Sequence, residues 1–280
     1  MSNNLYNIMV PVDFTPKNKW AIAKAVELAN TFNCNIHFVH VVSSVAFYSG
    51  HYITNSNPAV DANIARHRLK ALQQQYESHV CSSGKIEIDL LHGLPGHEMQ
   101  EYIERKEIDL VIIGLSKFNL LQRLWSAISI SALMQKTNVP VLAVRSSGLV
   151  SHFKKIVLPV NNEVPVKRIR LAILLGRFFK STVYVLSLKN KDGQHNVPVL
   201  TQTLEIFQSL TTVPVQSIIV EGKSLAQSTI EFSKKINADL IMINPLKEFF
   251  MPGWWNRITQ KLLSYQSRIP VLTVMQDHEK

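Results

Sequence analysis

Apolar residues along the chain fall into short unbroken runs, separated by longer stretches with helical periodicity. Ile8-Met9-Val10-Pro11-Val12 is the first run, and residues 35–42, 86–91, 109–114 and 139–144 follow. Runs of this length read as strands buried on both faces, the pattern of parallel strands. Between them, residues 16–32 set Trp20, Ala21, Ala25, Leu28 and Ala29 at helical spacing, and residues 61–79 do the same with Ile64, Leu69, Leu72 and Tyr76. Thr15 is the expected cap of the first helix, with Pro16 in its first turn. The turn His92-Gly93-Leu94-Pro95-Gly96 opens another helix, which runs to Lys106. Residues 43–60 are polar and aperiodic and read as a long loop or flap.

The same order of elements then starts again. Strands are expected at 155–161, 182–188, 215–220, 239–243 and 270–274, with helices near 164–179, 199–210 and 224–235. Asp109-Leu110-Val111-Ile112-Ile113 is matched by Asp239-Leu240-Ile241-Met242-Ile243. Val139-Pro140-Val141-Leu142 is matched by Ile269-Pro270-Val271-Leu272 at the same distance downstream. A repeat of this size is two copies of one folding unit. Strands alternating with helices give each unit a parallel sheet covered on both faces. The expected domains are 1–148 and 149–280, divided where Ser146-Ser147-Gly148 interrupts the apolar pattern. The first copy is the longer, and residues 43–60 hold most of the excess.

Composition narrows the classes of function. With 280 residues, 46% hydrophobic and 18% charged, the chain has room for two folded cores. It begins without a basic segment leading into an apolar one, and its apolar runs are far below the roughly 20 residues that cross a bilayer. A cytoplasmic protein with no membrane segment is the expectation. Cys34 and Cys81 have no metal-ligand spacing and read as structural thiols. The net charge of +10 raises nucleic acid as a partner, but no basic run exceeds two residues, so a solvated surface is the plainer reading. His37 and His40 point to opposite sides of their strand and cannot share a metal there. His97, at a helix start, reads as a solvent-facing residue.

Val10-Pro11-Val12-Asp13-Phe14-Thr15, His40-Val41-Val42, Gly93-Leu94-Pro95, the 109–114 strand and Val139-Pro140-Val141-Leu142 together resemble the universal stress protein family in its tandem form. The resemblance implies two open α/β sandwiches with five-stranded parallel sheets, the adenine nucleotide alpha hydrolase-like fold. It also implies pairing through the last strands, here 139–144 and 270–274 within one chain, with a homodimer of chains as a further possibility. Some members bind ATP through Gly-x2-Gly-x9-Gly-Ser/Thr after the fourth strand, where small residues let backbone amides reach the phosphates. Here Gly114 stands at the first position, but Lys117, Ala127 and Ile128 stand at the other three. Lys117 or Arg123 could neutralise phosphate instead, and Ser126 or Ser129 could donate to it. Lys117 equally suits an ordinary exposed loop. The resemblance puts Asp13 and Val41 beside adenine and ribose, while a helix-capping role suits Asp13 equally well. The second half departs further: Asn161 replaces Asp13, Asn244-Pro245 replaces the glycine entry, Lys247 follows, and Arg257 and Ile258 end the pattern.

No nucleophile–base pair, Walker loop or metal spacing is present in the sequence. The sequence reading is therefore a non-catalytic stress-response protein acting through binding and dimerisation, with weak or absent nucleotide affinity. Its first alternative is a modified N-terminal site for ATP with Mg and at most slow hydrolysis. Its second is a basic surface for nucleic acid.

Overall fold

The computed structural model describes residues 4–42, 58–81, 83–115, 136–145, 152–189, 197–222, 224–244 and 269–275. The chain divides into two compact units, Met1–Val141 and Leu142–Lys280. Residues 43–57 of the expected flap lie outside the described residues, as do Lys117, Arg123, Ser126, Ala127, Ile128 and Ser129. Pro245, Lys247, Arg257 and Ile258 lie outside them too.

The first repeat runs β1 (Asn7–Pro11), α1 (Asn18–Phe32), β2 (Asn35–Val42), α2 (Pro58–Glu77), β3 (Ile86–His92), α3 (Pro95–Arg105), β4 (Leu110–Gly114) and β5 (Val141–Val144). Its order is β3-β2-β1-β4, with β1 parallel to both β2 and β4. Val111 of β4 donates to the Pro140 carbonyl, which leads into β5. The second repeat runs β6 (Lys155–Val160), α4 (Val166–Phe179), β7 (Thr182–Lys189), α5 (Val197–Leu210), β8 (Val215–Glu221), α6 (Leu225–Lys235), β9 (Leu240–Ile243) and β10 (Val271–Thr273). Its order is β10-β9-β6-β7-β8, again parallel. The α/β sandwich expected from the apolar pattern is the observed fold. Ile8, Met9 and Val10 of β1 and Leu240–Ile243 of β9 have no exposed surface, as central strands covered on both faces require.

The repeated aspartate has a structural task in both copies. Asp109 Oδ2 accepts the backbone N–H groups of Tyr6 (2.8 Å) and Asn7 (3.0 Å), where the chain enters β1. Asp239 Oδ2 accepts the N–H of Lys155 at 2.9 Å, at the entry to β6. A carboxylate with those donors holds the entry of the central strand in place by charge-assisted hydrogen bonds.

α1 starts later than expected. Its N-cap is Lys17, which makes no side-chain cap bond, and Thr15 turns instead toward Asp13. Helix α2 starts at Pro58, ahead of the expected 61.

Candidate functional site

In both repeats the connections diverge on either side of the central strand: β2 and β4 flank β1, and β7 and β9 flank β6. The crevice beyond the carboxyl end of that strand is where open α/β sheets take ligands. In the first repeat Asp13, Phe14 and Gly114 lie there, with Val41 near the end of β2.

The turn after β1 is held by its own side chains. Asn18 is 5% exposed. Its Oδ1 accepts the N–H of Asp13 (3.0 Å) and of Thr15 (3.2 Å), and its Nδ2 donates to the Pro11 carbonyl (3.1 Å). Asp13 Oδ1 accepts the Thr15 N–H (3.1 Å) and hydroxyl (2.6 Å), and Lys17 Nζ lies 2.7 Å from Asp13 Oδ2. Asp13 therefore ties down the approach to α1, close to the capping role weighed above but through Thr15 rather than the helix's own amides.

Burial raises the Asp13 pKa, but the Lys17 ammonium and the Thr15 donors outweigh it and hold the carboxyl below its ordinary 3.8. A carboxylate with a depressed folded pKa contributes stability above its unfolded pKa and loses it as pH falls through the folded value. Acid unfolding should therefore steepen below pH 3.8. In Asp13→Asn that part of the acid limb should be absent, which urea titrations at stepped pH would read. An unchanged acid limb would contradict the assignment.

Phe14 has φ = 56°, a left-handed conformation uncommon for a bulky residue. Its ring lies 4.7 Å from that of His40, and the Arg68 guanidinium lies 5.7 Å from its centroid. His40 Nδ1 lies 2.6 Å from the Val12 carbonyl and donates to it. Val41 is buried at 6% exposure, opposite Leu91 of β3.

Gly114 is packed against the start of α1. A Cβ on it would drive into the Lys17 backbone carbonyl, far inside contact distance. Its missing side chain is filled by protein backbone. Gly93, at φ = 145°, is a glycine for a different reason: that backbone conformation excludes other residues, and its N–H donates to the Val42 carbonyl at 3.2 Å.

The second crevice is filled differently. Arg168, 1% exposed, donates from Nη1 to the Pro159 carbonyl at 2.9 Å, the bond that Asn18 makes to Pro11 in the first repeat. Asn244 stands in place of Gly114, 1% exposed, with its Nδ2 3.4 Å from Glu163 Oε1.

Of the residues singled out in the sequence, the structure places Asp13 in the turn after β1, Gly114 at the end of β4 against the Lys17 carbonyl, and Val41 on β2. Asn18, Phe14, His40 and Arg68 were not anticipated. His40-Val41-Val42 flagged the strand without the hydrogen bond, because its partner is a carbonyl just past β1, distant along the chain. Asn18 had no signal beyond its place soon after the β1 strand.

The model of the Universal stress protein family matches residues 5–145. A universal stress protein of Methanocaldococcus jannaschii is 24% identical over 143 residues, covering 51% of this chain and 84% of its own. The universal stress protein A homolog 1 of Coxiella burnetii is 27% identical over 142 residues, covering 49% of this chain and 94% of its own. Among solved structures, a universal stress protein from Archaeoglobus fulgidus superposes with a TM-score of 0.74 at 12% identity, covering 99% of this chain and 100% of that one. A putative universal stress protein from Pseudomonas aeruginosa reaches 0.57 at 13% identity, covering 98% and 94%. At such identities the likeness is one of fold.

Proposed function

The chain belongs to the universal stress protein family, and we infer that it serves the stress response as a binding and dimerising protein, without catalysis and with weak or absent affinity for nucleotide. The observation that carries this reading is the position of Gly114 against the Lys17 carbonyl. A phosphate loop uses a glycine's missing side chain to admit a ligand, whereas here backbone already fills that space. The amides of Asp13 and Thr15, next in line to face an anion, are taken by Asn18 and Asp13. The described residues of the first crevice therefore do not fit the phosphate end of ATP. Lys117, Ala127 and Ile128, in place of two glycines and a hydroxyl, point the same way. In the second repeat a buried guanidinium and an asparagine take up the equivalent ground. On this reading partners are engaged through pairing of repeats or of chains, by the last strands 139–144 and 270–274.

A second reading keeps a modified ATP site in the first repeat, with Lys117, Ser126 and Ser129 replacing the lost amides and Mg accompanying the nucleotide. It is favoured by the left-handed Phe14 at the crevice, since such conformations gather at ligand sites. Calorimetric titration with Mg-ATP separates the two. The expected result is no saturable heat and no thermal stabilisation by millimolar nucleotide. Saturable binding near one site per chain, weakened in Lys117→Ala, would overturn the first reading and establish the second.

A further inference from the structure

The first repeat carries a cluster of polar side chains at the opposite end of its sheet from the crevice, where β2, β3 and the last turn of α3 meet. His37 is 2% exposed. Its Nδ1 lies 2.9 Å from the Tyr102 hydroxyl and 3.5 Å from Glu87 Oε2. Tyr102 donates to Asp89 Oδ2 at 2.6 Å. One ligand atom each from His37, Glu87 and Asp89 falls within 4.8 Å of the others.

The surrounding amides fix the protons. Lys85 N–H donates to Asn35 Oδ1 at 3.1 Å, so Asn35 turns its NH2 to Asn7 Oδ1 at 3.2 Å. Asn7 in turn donates Nδ2 to the Lys106 carbonyl at 3.1 Å. Asn7 thus presents an oxygen to His37 Nε2, 3.3 Å away, and Nε2 carries the ring proton. Neutral His37 then turns the bare lone pair of Nδ1 toward Tyr102. One phenolic proton is faced by both that lone pair and the Asp89 carboxylate, with the Glu87 carboxylate alongside. Even with Lys106 Nζ donating to Glu87 Oε2 at 2.9 Å, the cluster presents more acceptors than protons.

The fold does not require this arrangement, because the second repeat does without it. By register and spacing, Tyr184, Gln216, Ile218, Phe232 and Ile236 hold the places of His37, Glu87, Asp89, Tyr102 and Lys106. The rings of Tyr184 and Phe232 meet edge-on at 5.8 Å, much as those of His37 and Tyr102 do at 5.9 Å, but within an apolar cluster. Burying polar groups opposes folding unless they are satisfied. A site that exchanges working apolar packing for an acceptor-rich cluster points to a cation.

We propose that His37 Nδ1, Glu87 and Asp89 bind a divalent transition-metal ion, of which zinc is the representative, with the Tyr102 hydroxyl beside it. One imidazole nitrogen and two carboxylates are donors that suit zinc. The Asn7 oxygen on Nε2 is the outer partner that orients ligating histidines, and Lys106, 2.9 Å from Glu87, steadies that carboxylate in the same way. Glu87 and Lys106 are 42% and 36% exposed, which gives the ion a path in from solvent.

The test is titration of the chelator-treated full chain with zinc, by calorimetry and by competition with a chromophoric chelator. Saturable binding of about one ion per chain is expected, weakened in Asp89→Asn by at least the roughly 10–100-fold that loss of an outer partner costs. The pair His37→Tyr with Tyr102→Phe should abolish it. That pair installs the contact the second repeat already uses, and circular dichroism checks its folding. His97→Ala is the control, since His97, Glu98 and Glu101 form another grouping of possible ligands, on exposed α3 surface. Its zinc binding should be unchanged. Failure of the wild-type chain to bind zinc at micromolar concentration would overturn the proposal. So would binding that survives Asp89→Asn, or binding lost in His97→Ala. A negative result here leaves the nucleotide titration untouched, because the two sites lie at opposite ends of the strands.

Discussion

Gly114→Ala should destabilise the first repeat by about 1–3 kcal/mol, the range for forcing a methyl group into filled space. The added Cβ meets the Lys17 carbonyl, which is backbone and has no rotamer to move into. Relief would have to come from shifting the start of α1, and that start is pinned by the bonds of Asn18 to Asp13, Thr15 and Pro11. The strain is purely steric, since Gly114 is not among the glycines with positive φ. Urea unfolding of the variant checks the magnitude. The outcome also bears on function. A glycine kept open for a phosphate could accept a methyl group with the fold unharmed and only ligand binding lost. Unchanged stability of Gly114→Ala would therefore count against the packing role and reopen the crevice to nucleotide.

Asp109→Ala should cost more than Asp239→Ala, although the two aspartates begin equivalent strands. Asp109 accepts two backbone donors, from Tyr6 and Asn7, whereas Asp239 accepts one from Lys155. Hydrogen bonds to a charged group contribute about 1.5–3 kcal/mol each. The Tyr6 amide is at the surface, where water replaces the lost acceptor, and the Asn7 amide is partly buried, where it does not. A loss of about 2–4 kcal/mol is expected for Asp109→Ala, where the exposed Tyr6 bond adds less than the Asn7 bond, and about 1.5–3 kcal/mol for Asp239→Ala. Asp109→Asn, which keeps one acceptor oxygen, should fall between wild type and Asp109→Ala. Equal effects of the two alanine variants would show that the second bond at β1 adds nothing.

The sequence by itself determined the order of elements, their duplication and the parallel sheet of each repeat. These follow from apolar runs and helical spacing, which depend only on which positions must leave water. It also marked Asp13, because a carboxylate at the end of a buried strand is conspicuous against an apolar background, while Gly114 stood out only through the family resemblance. The tertiary structure decided what those residues do. Whether a glycine's missing side chain admits a ligand or a neighbouring carbonyl depends on how closely another helix approaches, and Lys17 lies far from Gly114 along the chain. The start of α1 was misread for a related reason. Thr15 has the chemistry of a cap, but Asp13 competes for its hydroxyl at 2.6 Å and the helix begins without it.

The cluster at His37 was hidden most completely. Glu87 and Asp89 are two apart and so share a face of β3, which the alternation shows. That His37 stands opposite Glu87 is a matter of strand register, and that Tyr102 comes down between them is a matter of helix packing. Local patterning sets which faces are buried. Register and packing set which buried polar atoms meet, and chemistry depends on that meeting.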